Sequence, residues 1–341
     1  MLGASVLLFA KTVIQNLVST YAGTGSTGST DGASNVARFQ IPVGITVDSS
    51  GNLYIADSYN HKIRKISTDG TVSTYAGTGS TGSTDGASNV ATFNVPIDIT
   101  IDSSGNLYVS DSYNNKIRKI ATDGTVSTYA GTGTVGSIDG ASNLARFYRP
   151  QGIISDLSGN LYVADTSNYK IRKIATDRTV STIAGTGSTG STDGAGNVAK
   201  FGAPYGITID SSGNLYVADT TNNKIRKIAT DGTVSTYAGT GSTGSTDGAG
   251  NVAKFNQPYN VTIDSFGNLF VADSYNHKIR KISTDGTVST IAGTGVVGST
   301  DGALNLAKFN YPQGITIDSS GNLYVADTTN NKIRKIVLLV V

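Results

Sequence analysis

The chain repeats itself every 54 residues. Asp57, Asp111, Asp165, Asp219, Asp273 and Asp327 recur at that spacing, and so do its only prolines, Pro42, Pro96, Pro150, Pro204, Pro258 and Pro312. A fixed period of this length means one supersecondary unit copied side by side, each copy burying its apolar face against the next. Counted from Val18, six units run to Val341. Repetition also sorts residues. Positions held in every copy read as scaffold, and positions that differ between copies read as places of specialisation.

Each unit carries four short runs rich in Ile, Val, Tyr and Thr. In the first unit they are Gly44–Val47, Asn52–Ala56, Lys62–Ile66 and Val72–Ala76. Such runs are too short for helices and suit strands. Turn signals separate them: Asp48–Gly51, Ser58–His61 and the hairpin pair Asp69-Gly70. Four antiparallel strands per unit and six units predict an all-β fold, a six-bladed β-propeller.

The last unit has only three runs. The missing one stands at the other end of the chain, as Val18–Ala22. Pairing it with Lys332–Ile336 closes the ring and covers an edge that would otherwise template aggregation. Residues 18–341 are therefore expected to form the propeller. Residues 1–17 are expected to be an extension whose Val13–Leu17 pairs with Val337–Val341 at the seam. Within the long connection between units, Asp31–Phe39 is expected to make one helical turn with Val36 and Phe39 facing inward. The six equivalents of Phe39 read as packing between blades.

Composition limits the chemistry. There is no cysteine and no glutamate, all 24 acidic residues are aspartates, and the only histidines are His61 and His277. The usual stock of general bases and metal ligands is thin. The net charge of +2 argues against a strong global pull toward polyanions. No apolar run is long enough to span a membrane. Met1–Ala10 is apolar and reads mainly as part of the fold; a signal remnant is the alternative, which leaves an extracellular or cell-surface location open.

The stretch Gly44–Ile66, GITVDSSGNLYIADSYNHKIRKI, resembles the NHL repeat: a hydrophobic strand, Asp, a Gly-Asn turn, an aromatic, Ala-Asp, Asn-His and a basic strand. The pattern recurs six times. Asn-His survives at Asn60-His61 and Asn276-His277 and becomes Asn-Asn or Asn-Tyr elsewhere. The resemblance implies a six-bladed propeller that binds proteins or, in some members, single-stranded RNA. Fold alone does not choose between them.

Six-bladed propellers also house lactonases and lyases, but the two histidines lie four units apart and cannot share a metal. The six Asp-Ser-Ser-Gly-Asn turns and their variants only faintly resemble calcium loops and lack the bidentate glutamate. Gly23, Gly25 and Gly28 match a phosphate-loop pattern outside any strand–helix context. No catalytic residue, metal or cofactor is expected. Arg64 and its equivalents are expected to pair with strand-end aspartates such as Asp57. Arg38, Arg146, Lys200, Lys254 and Lys308 form a second basic set, interrupted at Thr92, with Asp31 and its equivalents nearby to neutralise it.

Two positions vary most between copies: the residues flanking each proline, and the loop between second and third strands. In a propeller both emerge on one face, around one mouth of the channel. The candidate ligand-binding residues are therefore Tyr148, Arg149, Gln151, Tyr205, Gln257, Tyr259, Tyr311 and Gln313 beside the prolines, with Tyr59, Tyr113, Tyr169 and Tyr275 in the loops. Tyrosine gives large contact area at low entropic cost, and Gln and Arg give directional hydrogen bonds. The expected function is non-enzymatic recognition of a protein or extended peptide by a monomer. Single-stranded RNA on the same face and a lactonase- or lyase-like enzyme are the alternatives.

Overall fold

The structure, a computed structural model, describes residues 16–338. Six small antiparallel sheets stand around a central axis, one per repeat. In blade 1 the strands run Pro42–Val47, Leu53–Asp57, Lys62–Ile66 and Thr71–Ala76 from inside to outside. Pro42 opens the innermost strand, the place where a missing N–H costs no ladder bond.

The ring closes as expected. Leu17–Ala22 is the fourth strand of the last blade and pairs antiparallel with Lys332–Val337, Val18 opposite Ile336. The register reaches Leu17 opposite Val337. The rest of the seam ribbon expected from Val13 to Val341, like Met1–Ala10, lies outside the described residues.

Two local expectations are corrected. Gly32–Ala33 adds a two-residue fifth strand outside Thr71–Val72, and four further blades carry the same addition. Asp31–Phe39 does hold one helical-type turn, with the N–H of Ala37 donating to the Ala33 carbonyl, but Val36 does not face inward. That turn buries Ala37 and leaves Val36 52% exposed. Phe39 does face inward.

The core lies between blades. Phe39 packs with Ile45, Leu53 and Ile66 of its own blade and with Tyr324, Ala326 and Ile333 of the preceding one. Each of the six apolar clusters straddles two blades in this way. Over each phenylalanine lies a fully buried arginine. Arg64 stands 5.2 Å from the Phe39 ring centre and bridges Asp57 at 2.7 Å and Asp31 at 2.5 Å. It also donates to the carbonyls of Arg38 and Thr30. A buried cation is tolerated only when paired and hydrogen-bonded this fully. The expected Arg64–Asp57 pair is present, but Asp31 turns to Arg64 and Thr74 and does not neutralise Arg38.

Candidate functional site

Pro42 lies opposite Asp57 in the ladder, so the start of the innermost strand and the loop after the second strand share one end of the blade. All twelve candidate residues stand at this end, around the channel mouth. The structure brings some of them together and assigns others to scaffolding.

The centre is aromatic. Tyr205 and Tyr259 stack with ring centres 4.6 Å apart and planes 23° from parallel. The Tyr259 hydroxyl reaches across the channel and donates to Oε1 of Gln151 at 2.9 Å. Burial, then Tyr205, Asp98, Tyr113 and Tyr59, push the Tyr259 hydroxyl well above its ordinary pKa, and burial raises Tyr205 too. Between these residues, Val43 and Ile97 no water-sized space remains. The channel is plugged at this mouth. Around the plug, Tyr59, Tyr113, Tyr148 and Tyr275 stand exposed. Arg149 lies over the Tyr113 ring, 4.6 Å from its centre. Tyr311 meets Tyr275 edge-on at 4.8 Å. Gln257 and Gln313 are half-buried beside the prolines.

Part of the variation between copies is structural. Each second-to-third strand loop is a short 3₁₀ turn, Ser58–Asn60 in blade 1, capped by a residue in the left-handed region, His61 with φ 54°. Its side chain latches the next blade: Nδ1 of His61 accepts the N–H of Val95 at 3.1 Å, and His277 does the same for Tyr311. Asn115, Asn223 and Asn331 accept from Arg149, Gln257 and Ile41 through Oδ1. The five pre-proline residues so held all have positive φ. Tyr169 occupies the sixth latch position, and Ala203, which follows it, is the one pre-proline residue without positive φ. Tyr169 is thus a departure from the latch, and none of its contacts joins the central tyrosines. The first loop residue is a second tie, with Ser58 Oγ donating to the Pro96 carbonyl at 2.6 Å.

One group was not anticipated as part of the site. Asp98 replaces the glycine found in four other innermost strands and lies buried below the plug, 6% exposed. These glycines are required because neighbouring innermost strands nearly touch; a Cβ at Gly314 would collide with the Val43 carbonyl. Asp98 Oδ2 accepts from the Ile153 N–H at 3.2 Å, and no cationic side chain pairs with it. Burial raises its pKa to about 7. The signal in the sequence was the paired change in blade 2, Asp98 for Gly with Ser110 for Ala: Ser110 Oγ accepts the Asp98 N–H at 3.1 Å.

The charges are sorted by face. Lys62 stands beside Asp57 at the mouth end and donates to Ser29 Oγ at 2.8 Å. Neither Lys62 and its five equivalents, nor Arg38, Arg146, Lys200, Lys254 and Lys308, nor Arg149 joins an ion pair among the described residues. The turns at the opposite end carry eleven aspartates, Asp48 and Asp69 with their equivalents. There Asp48 accepts from the Ser50 and Asn52 N–H groups and the Asn52 amide, so a hairpin turn accounts for the calcium-like spacing.

Six antiparallel sheets of four or five strands around a central axis, with tyrosines and cations gathered at one mouth, define a six-bladed β-propeller. Comparison with known proteins sharpens that class. A family model for the NHL repeat matches residues 39–66 and 309–336, and one for the SMP-30/gluconolactonase/LRE-like region matches residues 98–242. The chain carries NHL repeats within a six-bladed propeller. It is similar to NHL repeat-containing protein 2 of Homo sapiens, 31% identical over 333 residues that cover 86% of this chain and 46% of that one. The chain spans less than half the length of the curated relatives it matches. Among solved structures, a protein of unknown function from Bacteroides thetaiotaomicron superposes with a TM-score of 0.74 at 22% identity, covering 94% of this chain and 76% of that one. A streptogramin B lyase superposes with a TM-score of 0.59 at 17% identity, covering 95% and 98%. At such identities the likeness concerns the fold.

Proposed function

We propose that the chain is a non-enzymatic recognition module that binds a protein segment or extended peptide across the mouth face. The observation carrying this reading is the Tyr205–Tyr259 stack over a channel with no water-sized space, ringed by exposed tyrosines. Rigid aromatic contact area suits a surface ligand, whereas small-molecule sites are concave and open. Displayed libraries of extended peptides would provide the probe. Peptides captured by the wild-type chain should lose binding to the Tyr205→Ala/Tyr259→Ala variant, while its melting temperature moves by only a few degrees, roughly what loss of one half-buried aromatic pair implies. Capture that survives both substitutions would remove the mouth as the site.

Single-stranded RNA is the second reading, and the sorted charge favours it: cations without acidic partners border rings on which bases can stack. Titrating labelled oligouridine at low and physiological salt tests it, because phosphate contacts must show a steep salt dependence. The lyase among the structural neighbours keeps an enzyme in view for this fold. No group of three His, Cys, Asp or Glu stands close enough to hold a metal among the described residues. Turnover of a lactone panel with added divalent metal would displace the non-enzymatic reading.

A further inference from the structure

We propose that the segment bound on the mouth face is an acidic extended peptide, anchored by a carboxylate side chain on Arg149. The proposal rests on the recognition reading above and names the chemistry of its partner. Two independent observations carry it.

The first is the partition of charge. Behind a net charge of +2 the charges are unevenly placed: Lys62 and Arg149 stand at the mouth without ion pairs among the described residues, while the eleven turn aspartates stand at the opposite end, accompanied there by Lys65 and its five equivalents. A partner drawn to the mouth must be complementary to it, and a cationic partner is repelled. The second is the way Arg149 is presented. Its backbone is held at φ 49° by the Asn115 latch and by Pro150 behind it. Its guanidinium lies on the Tyr113 ring, exposed to solvent and free of any ion pair among the described residues. Every core arginine, by contrast, is buried and paired with two aspartates, as Arg118 is with Asp85 and Asp111. An exposed arginine with its backbone fixed and its guanidinium stacked on a ring is arranged to grip a planar anion in two-point fashion.

Carboxylate fits better than polynucleotide at this centre. At the centre one face each of Tyr205 and Tyr259 is covered by the other ring, and one face of Tyr113 by Arg149, which reduces the surface on which bases could stack there. The tyrosine hydroxyls and the Gln151 amide can instead bond the carbonyls and side chains of an extended strand.

The test uses the full chain and three labelled probes in fluorescence anisotropy: an extended peptide alternating Glu with Val, the same peptide with Gln for Glu, and oligouridine. The Glu peptide should bind about ten-fold more tightly than its Gln twin, with affinity falling as salt rises. Arg149→Gln should erase that difference without lowering the melting temperature, since the side chain is exposed. Asp69→Asn on the opposite face should leave it intact. Equal affinity for the Glu and Gln peptides, or a preference that survives Arg149→Gln, overturns the proposal but leaves peptide recognition standing. Binding of oligouridine with no binding of either peptide overturns peptide recognition itself.

Discussion

Three residues, Asp98, His61 and His277, carry chemistry that their equivalents in most other repeats lack. Asp98 is a carboxyl without a cation in a channel lined otherwise by glycine and amide. Its folded pKa of about 7 lies above the ordinary 3.8, so the native state holds its proton more tightly than the unfolded chain. Stability must therefore fall as pH rises from about 4 to 7, by up to roughly 4 kcal/mol at 1.36 kcal/mol per pH unit. Asp98→Asn keeps the acceptor for Ile153 and removes the charge. It should stabilise the chain at pH 8 and change little at pH 4, which urea unfolding at the two values would check. The histidine latches have the opposite sign. Burial lowers the pKa of His61 and His277 below 6.5, and each needs an unprotonated Nδ1 to accept its backbone N–H. Their contribution is complete above 6.5 and is lost as pH falls through the lowered folded values. The His61→Asn/His277→Asn variant, which copies the other blades, should flatten the acid side of a melting-temperature profile; an unchanged profile would mean the latches do not titrate. That these positions latch at all was not legible beforehand. A histidine in a loop looks the same whether it faces solvent or the next blade.

At the scale of the element, a turn departs from its siblings. Arg178 stands where other copies have glycine, with φ 69°, in the left-handed region that costs a side chain strain. The structure adds the compensation. Arg178 donates to the Tyr129 carbonyl of the preceding blade at 2.7 Å and lies 5.1 Å from that ring. Left-handed backbone costs a non-glycine residue roughly 1 kcal/mol, and an exposed cation–π contact with its hydrogen bond returns a similar amount. Arg178→Gly should thus be close to neutral, whereas Arg178→Ala keeps the strain, loses the clamp and should cost about 1 kcal/mol. Equal stability of the two in chemical denaturation would refute this balance. Strand positions were legible because apolar alternation is a local signal. The fifth strand at Gly32–Ala33 was not, since two small residues pair only when the outer strand is already in place.

For the whole molecule, closure is the decisive contact. Leu17–Ala22 covers the edge of Lys332–Val337 and completes the inter-blade cluster around Phe39 and Tyr324. A chain beginning at Gly23 should leave that edge open and associate through it, visible as oligomers or loss of soluble material in size-exclusion chromatography. Normal monomeric elution would show that closure is dispensable. The repeat by itself determined the number of blades, the strand that closes them and the phenylalanine–arginine core. These follow from periodic local patterns and from the need of each unit to bury its face on a copy of itself. It also placed the variable residues at one mouth, since two loops of every blade emerge there. Tertiary structure alone decided which of them meet. The Tyr205–Tyr259 stack, the plug over Asp98, the latches at His61 and Asn115, and the release of Arg38 from Asp31 all join residues of different blades or distant loops. Their partners are set by how the blades turn about the axis, and spacing along the chain does not record that rotation.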